Sequence, residues 1–390
     1  MSRVKCYSVA KLRQRIQRFF DFNLSGREND LALVIIVGAI VMFGIVMLTS
    51  ASGPTAYREY QDAYRLIKHQ LVGIAVGIAA LLFFANVDYH FWRKYAFWML
   101  VISIFLLFLV FVPGLGVIVN GSRSWIEILG QRVQPSEFVK LTLLIYLAAW
   151  LEHRGKKLED FSQGLGPFVI VLSIIGVLMM LQPDFGTMFI IGMASLIAYY
   201  VGGGKLGHIL IIGLIGIIGL GLLVESNDYQ KNRFRCLLDE NFSPQEHCYQ
   251  IRQSLIAIGS GGFWGRGFGA SRQKFLFLPE VSGDSIFAIV GEELGFIFSI
   301  LLLAAFLFLF YRTVSIGRGA PDAFGRVLAI GIGSWITVQA LVNIGGMVNI
   351  IPMTGVPLPL VSYGGSAIMA TLAAVGVLLN ISKQAKSYNS

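Results

Sequence analysis

Charged side chains and cysteines are scarce in this sequence, and each scarcity excludes a class of protein. Asp, Glu, Lys and Arg make up 14% of the 390 residues whereas 55% are hydrophobic, which excludes an ordinary soluble domain. Three cysteines are too few for a disulfide scaffold, and the spacing around His247 does not match a zinc site. What the chain has in abundance is long apolar runs, so we predict an integral membrane protein.

The apolar runs predict an all-α polytopic membrane protein with about ten transmembrane helices. The predicted spans are Leu31–Ser50, Gln70–Phe84, Ala96–Pro113, Phe138–Leu151, Leu165–Leu181, Phe185–Val201, Leu206–Val224, Ser285–Tyr311, Phe324–Val348 and Gly364–Ile381.

The distribution of Lys and Arg predicts the orientation, because short cytoplasmic loops retain basic residues. It places both termini in the cytoplasm. Residues 1–30 are then a basic amphipathic segment, residues 31–381 the ten-helix membrane domain and residues 382–390 a cytoplasmic tail. The long loop at 225–284, between helices seven and eight, faces outward. The net charge of +9 lies largely beside anionic headgroups, so it needs no nucleic acid to explain it.

The outward loop ends at Asp284, directly before an apolar helix. A carboxylate there is either a general base whose pKa is raised by partial desolvation or a helix N-cap. Residue frequencies alone favour the cap, since Asp caps are far commoner than catalytic Asp.

Glu137 and Lys140 are three residues apart near the start of the fourth span, so they share a helix face and can pair. Ionisable residues at that depth are costly, so the pair is either functional or a structural ion pair. Asp184 follows a proline between two apolar runs, and is either the acid of a polar cavity or the N-cap of the sixth helix. Capping is the favoured single role.

Basic residues accompany the glycines of the outward loop, among them Arg272 and Lys274. A donor-rich wall of this kind suits a phosphate-bearing lipid headgroup, and equally an anionic bilayer surface. Arg123, in an earlier outer loop, is either a headgroup anchor or part of an anion site.

Cys236 and Cys248 lie twelve positions apart on the predicted outer side. Their placement in an oxidising envelope favours a disulfide over two free thiols.

Several motifs, in one order, resemble the SEDS family of peptidoglycan glycosyltransferases, which includes FtsW and RodA. They are LTSAS, KHQ, GSRSWI, QPSEFVKL, QPDFGT, QSLIAIGSGGFWGRGFGASRQKF, LPEVSGDSIFAIVGEELG and PMTGVPLPLVSYGGSA. The resemblance covers nearly the whole chain. SRQK after the glycines and the basic N-terminal extension are closer to FtsW than to RodA.

The resemblance implies polymerisation of lipid II into glycan strands on the outer face of the bacterial cytoplasmic membrane, by one inverting displacement. Asp284 matches the family's essential loop aspartate, Glu137 and Lys140 its functional pair, and Asp184 the acid of its QPD motif. The resemblance thus reverses the preference for a capping Asp284. Arg123, Arg272, Lys274 and Ser366 are further predicted substrate contacts.

The implied partners are undecaprenyl-pyrophosphate-linked glycan, a class B penicillin-binding protein, and other divisome or elongasome proteins. A divalent cation, Mg²⁺ or Mn²⁺, is a possible aid to pyrophosphate departure. Septal synthesis in cell division is the expected role, with a RodA-like elongation role as the alternative. Two other classes stay open, a lipid II flippase and a scaffold. The flippase predicts internal repeats or broken helices near the bilayer midplane.

Overall fold

The computed structural model describes residues 30–119, 122–128, 131–226, 228–239, 242–243 and 245–385. The predicted amphipathic segment at the N-terminus therefore lies outside the described residues, except for residue 30. The last five residues of the predicted tail also lie outside them.

Twelve α-helices carry the fold of the described residues, and each predicted span coincides with one of them. They are α1 Leu31–Tyr60, α2 Arg65–Asn86, α3 Tyr89–Leu109, α4 Pro135–Arg154, α5 Gly166–Leu181, α6 Phe185–Val201, α7 Leu206–Ser226, α8 Asp228–Leu238, α9 Tyr249–Gly261, α10 Ile286–Gly319, α11 Ala323–Met347 and α12 Gly365–Gln384. Short 3-10 and π segments, Gly155–Glu159 and Phe161–Leu165, join α4 to α5.

Seven of the described helices are long and apolar enough to cross a bilayer, and α6 and α7 are shorter apolar helices. The chain is therefore a multi-pass membrane protein. Ten crossings, the membrane side of each loop and the domain boundaries stay predictions.

The centre of the bundle is built around α11 and α12, which are mostly buried. Helix α12 packs along α2, while α11 contacts α10, α6 and α4. A helix that is apolar all round is covered on all sides by its neighbours, as these two are. Their few polar side chains are consequently held inside the protein, where they need partners.

A three-stranded antiparallel sheet between α3 and α4 was not predicted. It consists of β1 Gly116–Val119, β2 Ser122–Ile128 and β3 Gln131–Val133, in that order. The β-branched residues of VIV, and the aromatic and β-branched residues of SWI, favour strands, but these runs are short and polar residues surround them. Ser122 Oγ donates to the carbonyl of Gln182 at 2.6 Å, which holds the sheet against the turn between α5 and α6.

Helix α10 is broken at Gly295, whose φ of 78° and ψ of −170° are not helical. The glycine-rich loop after α9 satisfies the freed backbone groups. Phe296 N donates to Gly262 O at 2.9 Å, and the carbonyls of Glu292 and Glu293 accept from the backbone of that loop. The apolar residues 296–311, which precede Arg312, measure roughly 24 Å, most of the roughly 30 Å hydrocarbon core. The break is therefore much closer to one membrane surface than to the midplane.

Candidate functional site

Asp284 lies in the loop directly before α10 and does not cap that helix. Ser285 is the N-cap residue, and no side chain makes a capping hydrogen bond there. The capping interpretation of Asp284 is therefore wrong, because its carboxylate is turned to other groups.

The carboxylate of Asp284 is half-buried and weakly hydrogen-bonded. Its Oδ1 accepts from Gln250 Nε2 at 3.3 Å and from Ser285 Oγ at 3.4 Å, both at the long end of the hydrogen-bond range. On its other side, Oδ2 borders Gly355. A Cβ there would lie 3.8 Å from Oδ2 and 3.9 Å from both terminal nitrogens of Arg233.

Burial raises the pKa of Asp284 to about 7, and the neighbouring Glu280 carboxylate adds to the rise. The guanidinium of Arg233 opposes it without cancelling it. A carboxyl group with a pKa near neutrality is a stronger base than an ordinary Asp, and still deprotonates under physiological conditions.

Asn343 on α11 holds the backbone at Asp284. Its Nδ2 donates to Asp284 O at 2.7 Å and to Val356 O at 2.8 Å. One amide therefore ties α11, the loop that carries Asp284 and the segment that carries Gly355. These two hydrogen bonds from Nδ2 explain why an asparagine lies on this largely apolar helix.

Glu137 and Lys140 form the predicted pair, and both are almost completely buried. Lys140 Nζ lies 2.8 Å from Glu137 Oε1 and donates also to Gln339 Oε1 at 2.8 Å. It lies 5.0 Å from the centre of the Trp335 ring. Glu137 Oε2 is buried and has no hydrogen-bond partner among the described residues. The pairing itself is confirmed, whereas substrate binding by either residue stays a prediction.

Gln339 connects this pair to the Asp284 region. It lies one helical turn before Asn343 on α11, so the two amides share a face. Its Nε2 donates to Pro357 O at 3.0 Å, next to the Val356 carbonyl that Asn343 holds. The ion pair and the Asp284 loop are thus linked through two side chains and one short stretch of backbone.

Asp184 is the N-cap of α6, as the capping interpretation predicted. Its Oδ1 accepts from Thr187 N at 3.1 Å, and its Oδ2 from Gln134 Nε2 at 3.2 Å. Ser366 Oγ accepts from Gln134 N at 3.1 Å. Gln134 therefore brings Asp184 and Ser366 to the start of α4, close in sequence to Glu137. Arg123 is half-buried on β2, between two serines that contact the Gln182 turn.

Lys274 and Arg272 belong to a different network, the carboxylate clamp, which we define as Glu292 and Glu293 with the loop residues that they bind. Lys274 Nζ donates to Glu293 at 2.9 Å, Ser50 at 2.9 Å and Gly269 O at 2.7 Å. The backbone N–H of Arg272 donates to Glu292 at 2.9 Å, while its side chain is exposed. Lys274 is thus already engaged, so its predicted substrate contact has no geometric support.

Sequence reasoning missed the carboxylate clamp, Gln339 and Gln250. Two adjacent acids at the start of an apolar run, in GEELG, were an available signal, because buried carboxylates need several donors. The spacing of Gln339 and Asn343 was a second signal.

A disulfide joins Cys236 to Cys248, whose Cα atoms are 5.4 Å apart. Cys236 is near the end of α8, and Cys248 directly precedes α9. Helix α8 carries Arg233, and helix α9 carries Gln250. Both helices that reach Asp284 are therefore linked covalently.

The described residues contain no group of three or more His, Cys, Asp and Glu side chains that could hold a metal ion. Asp284 and Glu280 do not make an all-protein cation site. Mg²⁺ is commonly held by one or two carboxylates together with substrate phosphates. A cation requirement stays a prediction.

Residues 31–387 match the model of the cell cycle protein family of FtsW, RodA and SpoVE. Stage V sporulation protein E of Bacillus subtilis strain 168 is 42% identical, over 92% of this chain and 98% of the relative. A probable peptidoglycan glycosyltransferase FtsW of Geobacter metallireducens is 37% identical, over 94% of this chain and 98% of the relative.

A solved structure of similar fold comes from a study of how a peptidoglycan synthase complex coordinates polymerization and crosslinking. One chain of it aligns with a TM-score of 0.74 at 26% identity, over 93% of this chain and 99% of that chain.

Proposed function

Because this chain belongs to the cell cycle protein family of FtsW, RodA and SpoVE, we propose that it is a peptidoglycan glycosyltransferase that polymerises lipid II. The relatives named FtsW favour septal cell-wall synthesis as its role, with RodA-like elongation as the alternative. The most specific support from this chain is Asp284, a half-buried acid with few hydrogen bonds and a pKa raised to about 7.

In the proposed reaction, a sugar hydroxyl of the acceptor attacks the anomeric carbon of the growing, diphosphate-linked chain. The bond from that carbon to the diphosphate oxygen breaks, and its electron pair leaves with the diphosphate. The Asp284 carboxylate takes the hydroxyl proton as the new glycosidic bond forms. Attack opposite the leaving group converts an α-linked donor into a β-linked glycan in one displacement.

The departing diphosphate needs cationic or donor groups. Arg233 is the cation that borders Gly355 together with Asp284, so it is our first candidate. Its guanidinium also donates to Met353 O at 2.7 Å, which fixes its position. Lys140 is enclosed by Glu137 and Gln339, and we assign it a role in holding α4 against α11 rather than direct contact.

Basic residues and Asp284 lie in the loop that sequence analysis places outside the cell. We propose that lipid II is therefore used on the outer face of the cytoplasmic membrane, with both termini inside. A class B penicillin-binding protein is the proposed partner, supported by the similarity to a chain from a complex that couples polymerization and crosslinking.

The flippase alternative predicts internal repeats or broken helices near the bilayer midplane. The break in α10 does not match that prediction, because its freed backbone groups are hydrogen-bonded by loop backbone and most of the apolar part of the span lies beyond it.

Purified protein, with and without the partner, should be given lipid II in proteoliposomes. We expect glycan ladders on a denaturing gel. A flippase would move labelled lipid II between leaflets without producing ladders. Transfer between leaflets with no polymer in either preparation would contradict the proposal.

A further inference from the structure

The glycine-rich loop after α9 exposes an unusual amount of apolar surface. We call residues 262–277 the aromatic loop. Six of its large apolar side chains are at least half exposed: Phe263 69%, Trp264 81%, Phe268 56%, Phe275 57%, Leu276 50% and Phe277 55%. Three consecutive exposed apolar residues are costly in water, so a cluster of this size indicates a surface that is covered in the working protein.

The aromatic loop cannot collapse onto itself to hide these side chains, because its backbone is held by the carboxylate clamp. Glu293 accepts from Gly269 N at 3.0 Å and from Ser271 N at 3.3 Å. Glu292 accepts from Arg272 N and Gln273 N at 2.9 and 3.3 Å. The apolar residues before and after these contacts are consequently presented outward from a fixed frame.

Backbone contacts also fix the height of the aromatic loop along α10. Gly262 O and Phe263 O accept from Phe296 N and Ile297 N at 2.9 and 3.4 Å. The rings of Phe263 and Phe296 pack edge to face, with centroids 5.8 Å apart. Phe296 begins the apolar part of α10 that ends at Tyr311. The loop therefore lies close to the depth at which α10 enters the membrane.

The exposed surface of the loop continues onto the apolar outer surface of α10. Phe296, Phe298 and Leu301 are 56%, 46% and 56% exposed. In a membrane-spanning helix, exposed side chains of this kind face lipid. Continuity with that face favours lipid as the occupant.

The charges of the aromatic loop suit a headgroup region. Residues 262–277 contain no Asp or Glu. Arg266 and Arg272 have exposed side chains, whereas Lys274 is neutralised by Glu293. Aromatic rings beside arginines are the combination found at membrane interfaces, where rings lie at the headgroup level and guanidinium groups meet phosphate.

We infer that the aromatic loop is an interfacial anchor, inserted into the leaflet that α10 enters. Trp264 and the turn at residues 275–277 lie at the boundary of headgroups and acyl chains, and Arg266 and Arg272 meet lipid phosphates. The carboxylate clamp transmits this anchoring to residues 286–294 of α10, directly after Asp284. The anchor thus fixes the height of that carboxylate above the membrane. It stands on the loop geometry and not on the proposed function.

The test uses the fluorescence of Trp264 in proteoliposomes without any partner. The spectrum of Trp264→Phe is subtracted from that of the wild type, in lipids brominated either near the top or near the end of the acyl chain. We expect shallow bromines to quench Trp264 at least about twofold more than deep ones, as for interfacial aromatics. Acrylamide, a quencher dissolved in water, should have little effect.

Trp98 supplies the matched control. It is exposed on α3, at the third residue of the predicted span Ala96–Pro113, so bromines near the top of the acyl chain should quench it more than deep ones. Acrylamide quenching of Trp264 without bromolipid quenching would overturn the anchor. If such an accessible Trp264 became protected only when a transpeptidase was added, the surface would be a protein docking site instead.

Discussion

Asp284 and the pair Glu292 and Glu293 lie within nine positions of each other at the start of α10. They differ in how many hydrogen-bond donors surround their carboxylates. Glu292 and Glu293 are completely buried, and receive backbone N–H groups, serine hydroxyls and an ammonium group. Asp284 is less buried, and among the described residues its carboxylate accepts side-chain hydrogen bonds from Gln250 and Ser285, both of them long. Burial alone therefore does not identify a chemically active acid.

The difference lies in how many donors the fold supplies. A buried carboxylate with full hydrogen bonding holds the structure together, because any change leaves donors unpaired. A carboxylate left short of donors is poorly stabilised in its charged form, and gains from taking a proton. The first arrangement suits a structural role, the second a general base.

The largest effect on stability is expected from Glu293→Gln. The substitution leaves the buried Lys274 ammonium without its counter-charge, which costs about 3–5 kcal/mol. Thermal unfolding of the detergent-purified protein should show a clear fall in melting temperature. Asp62→Asn is the control, since it breaks a solvent-exposed pair with Lys68 that contributes little to stability. Equal melting temperatures for Glu293→Gln and wild type would contradict a structural role for the Glu293 carboxylate.

A comparable loss, about 3 kcal/mol, is expected from Lys140→Met, because it leaves Glu137 buried and unpaired. Adding Glu137→Gln should recover part of that stability, since the double variant contains no unpaired charge. A double-mutant cycle of unfolding temperatures and polymerisation rates measures the coupling. Strictly additive losses would show that the two side chains act independently.

Removing the disulfide with Cys236→Ser is expected to cost at most roughly 3 kcal/mol, the value for a closed loop of about thirteen residues. Polymerisation should fall several-fold, because α8 and α9 no longer hold Arg233 and Gln250 beside Asp284. Cys6→Ser is the matched control. Two results together would contradict a structural disulfide in the cell. They are a polymerisation rate for Cys236→Ser equal to that of the wild type, and thiol labelling of the wild type that does not change when reductant is added.

The smallest expected effect is a pH-dependent gain in stability from Asp284→Asn. The folded pKa near 7 lies above that of an unfolded Asp, so the wild type loses stability as pH rises from about 4 to about 7. Asn carries no charge to desolvate. The variant should match the wild type near pH 4 and be the more stable of the two at pH 8, by less than the full shift would give, because solvent screens the half-buried carboxyl group. A variant less stable at pH 8 would reverse the proposed contrast with Glu293.

The helices could be predicted from the sequence because a membrane imposes one length and one polarity on every span. The pairing of Glu137 with Lys140 followed from their spacing on one helix. The sheet was missed because its strands are short and half-polar. The break at Gly295 was missed because glycine is frequent in membrane helices.

The outcome for individual site residues depended on tertiary contacts that no local pattern contains. Asp184 and Asp284 look alike in the sequence, each following a turn and preceding an apolar run. Asp184 caps its helix because its carboxylate reaches Thr187 N, whereas Ser285 takes the capping position after Asp284. Lys274 was predicted as a phosphate contact because its loop is basic and rich in glycine, and the local pattern did not reveal its ion pair with Glu293, nineteen positions away.

The most direct test of the proposed base compares lipid II polymerisation by wild type, Asp284→Asn and Asp62→Asn in matched proteoliposomes at pH 8. The account predicts glycan ladders from wild type and Asp62→Asn, and a loss of at least about a hundredfold for a correctly folded Asp284→Asn. Glycan ladders from Asp284→Asn at a rate near that of the wild type would contradict it.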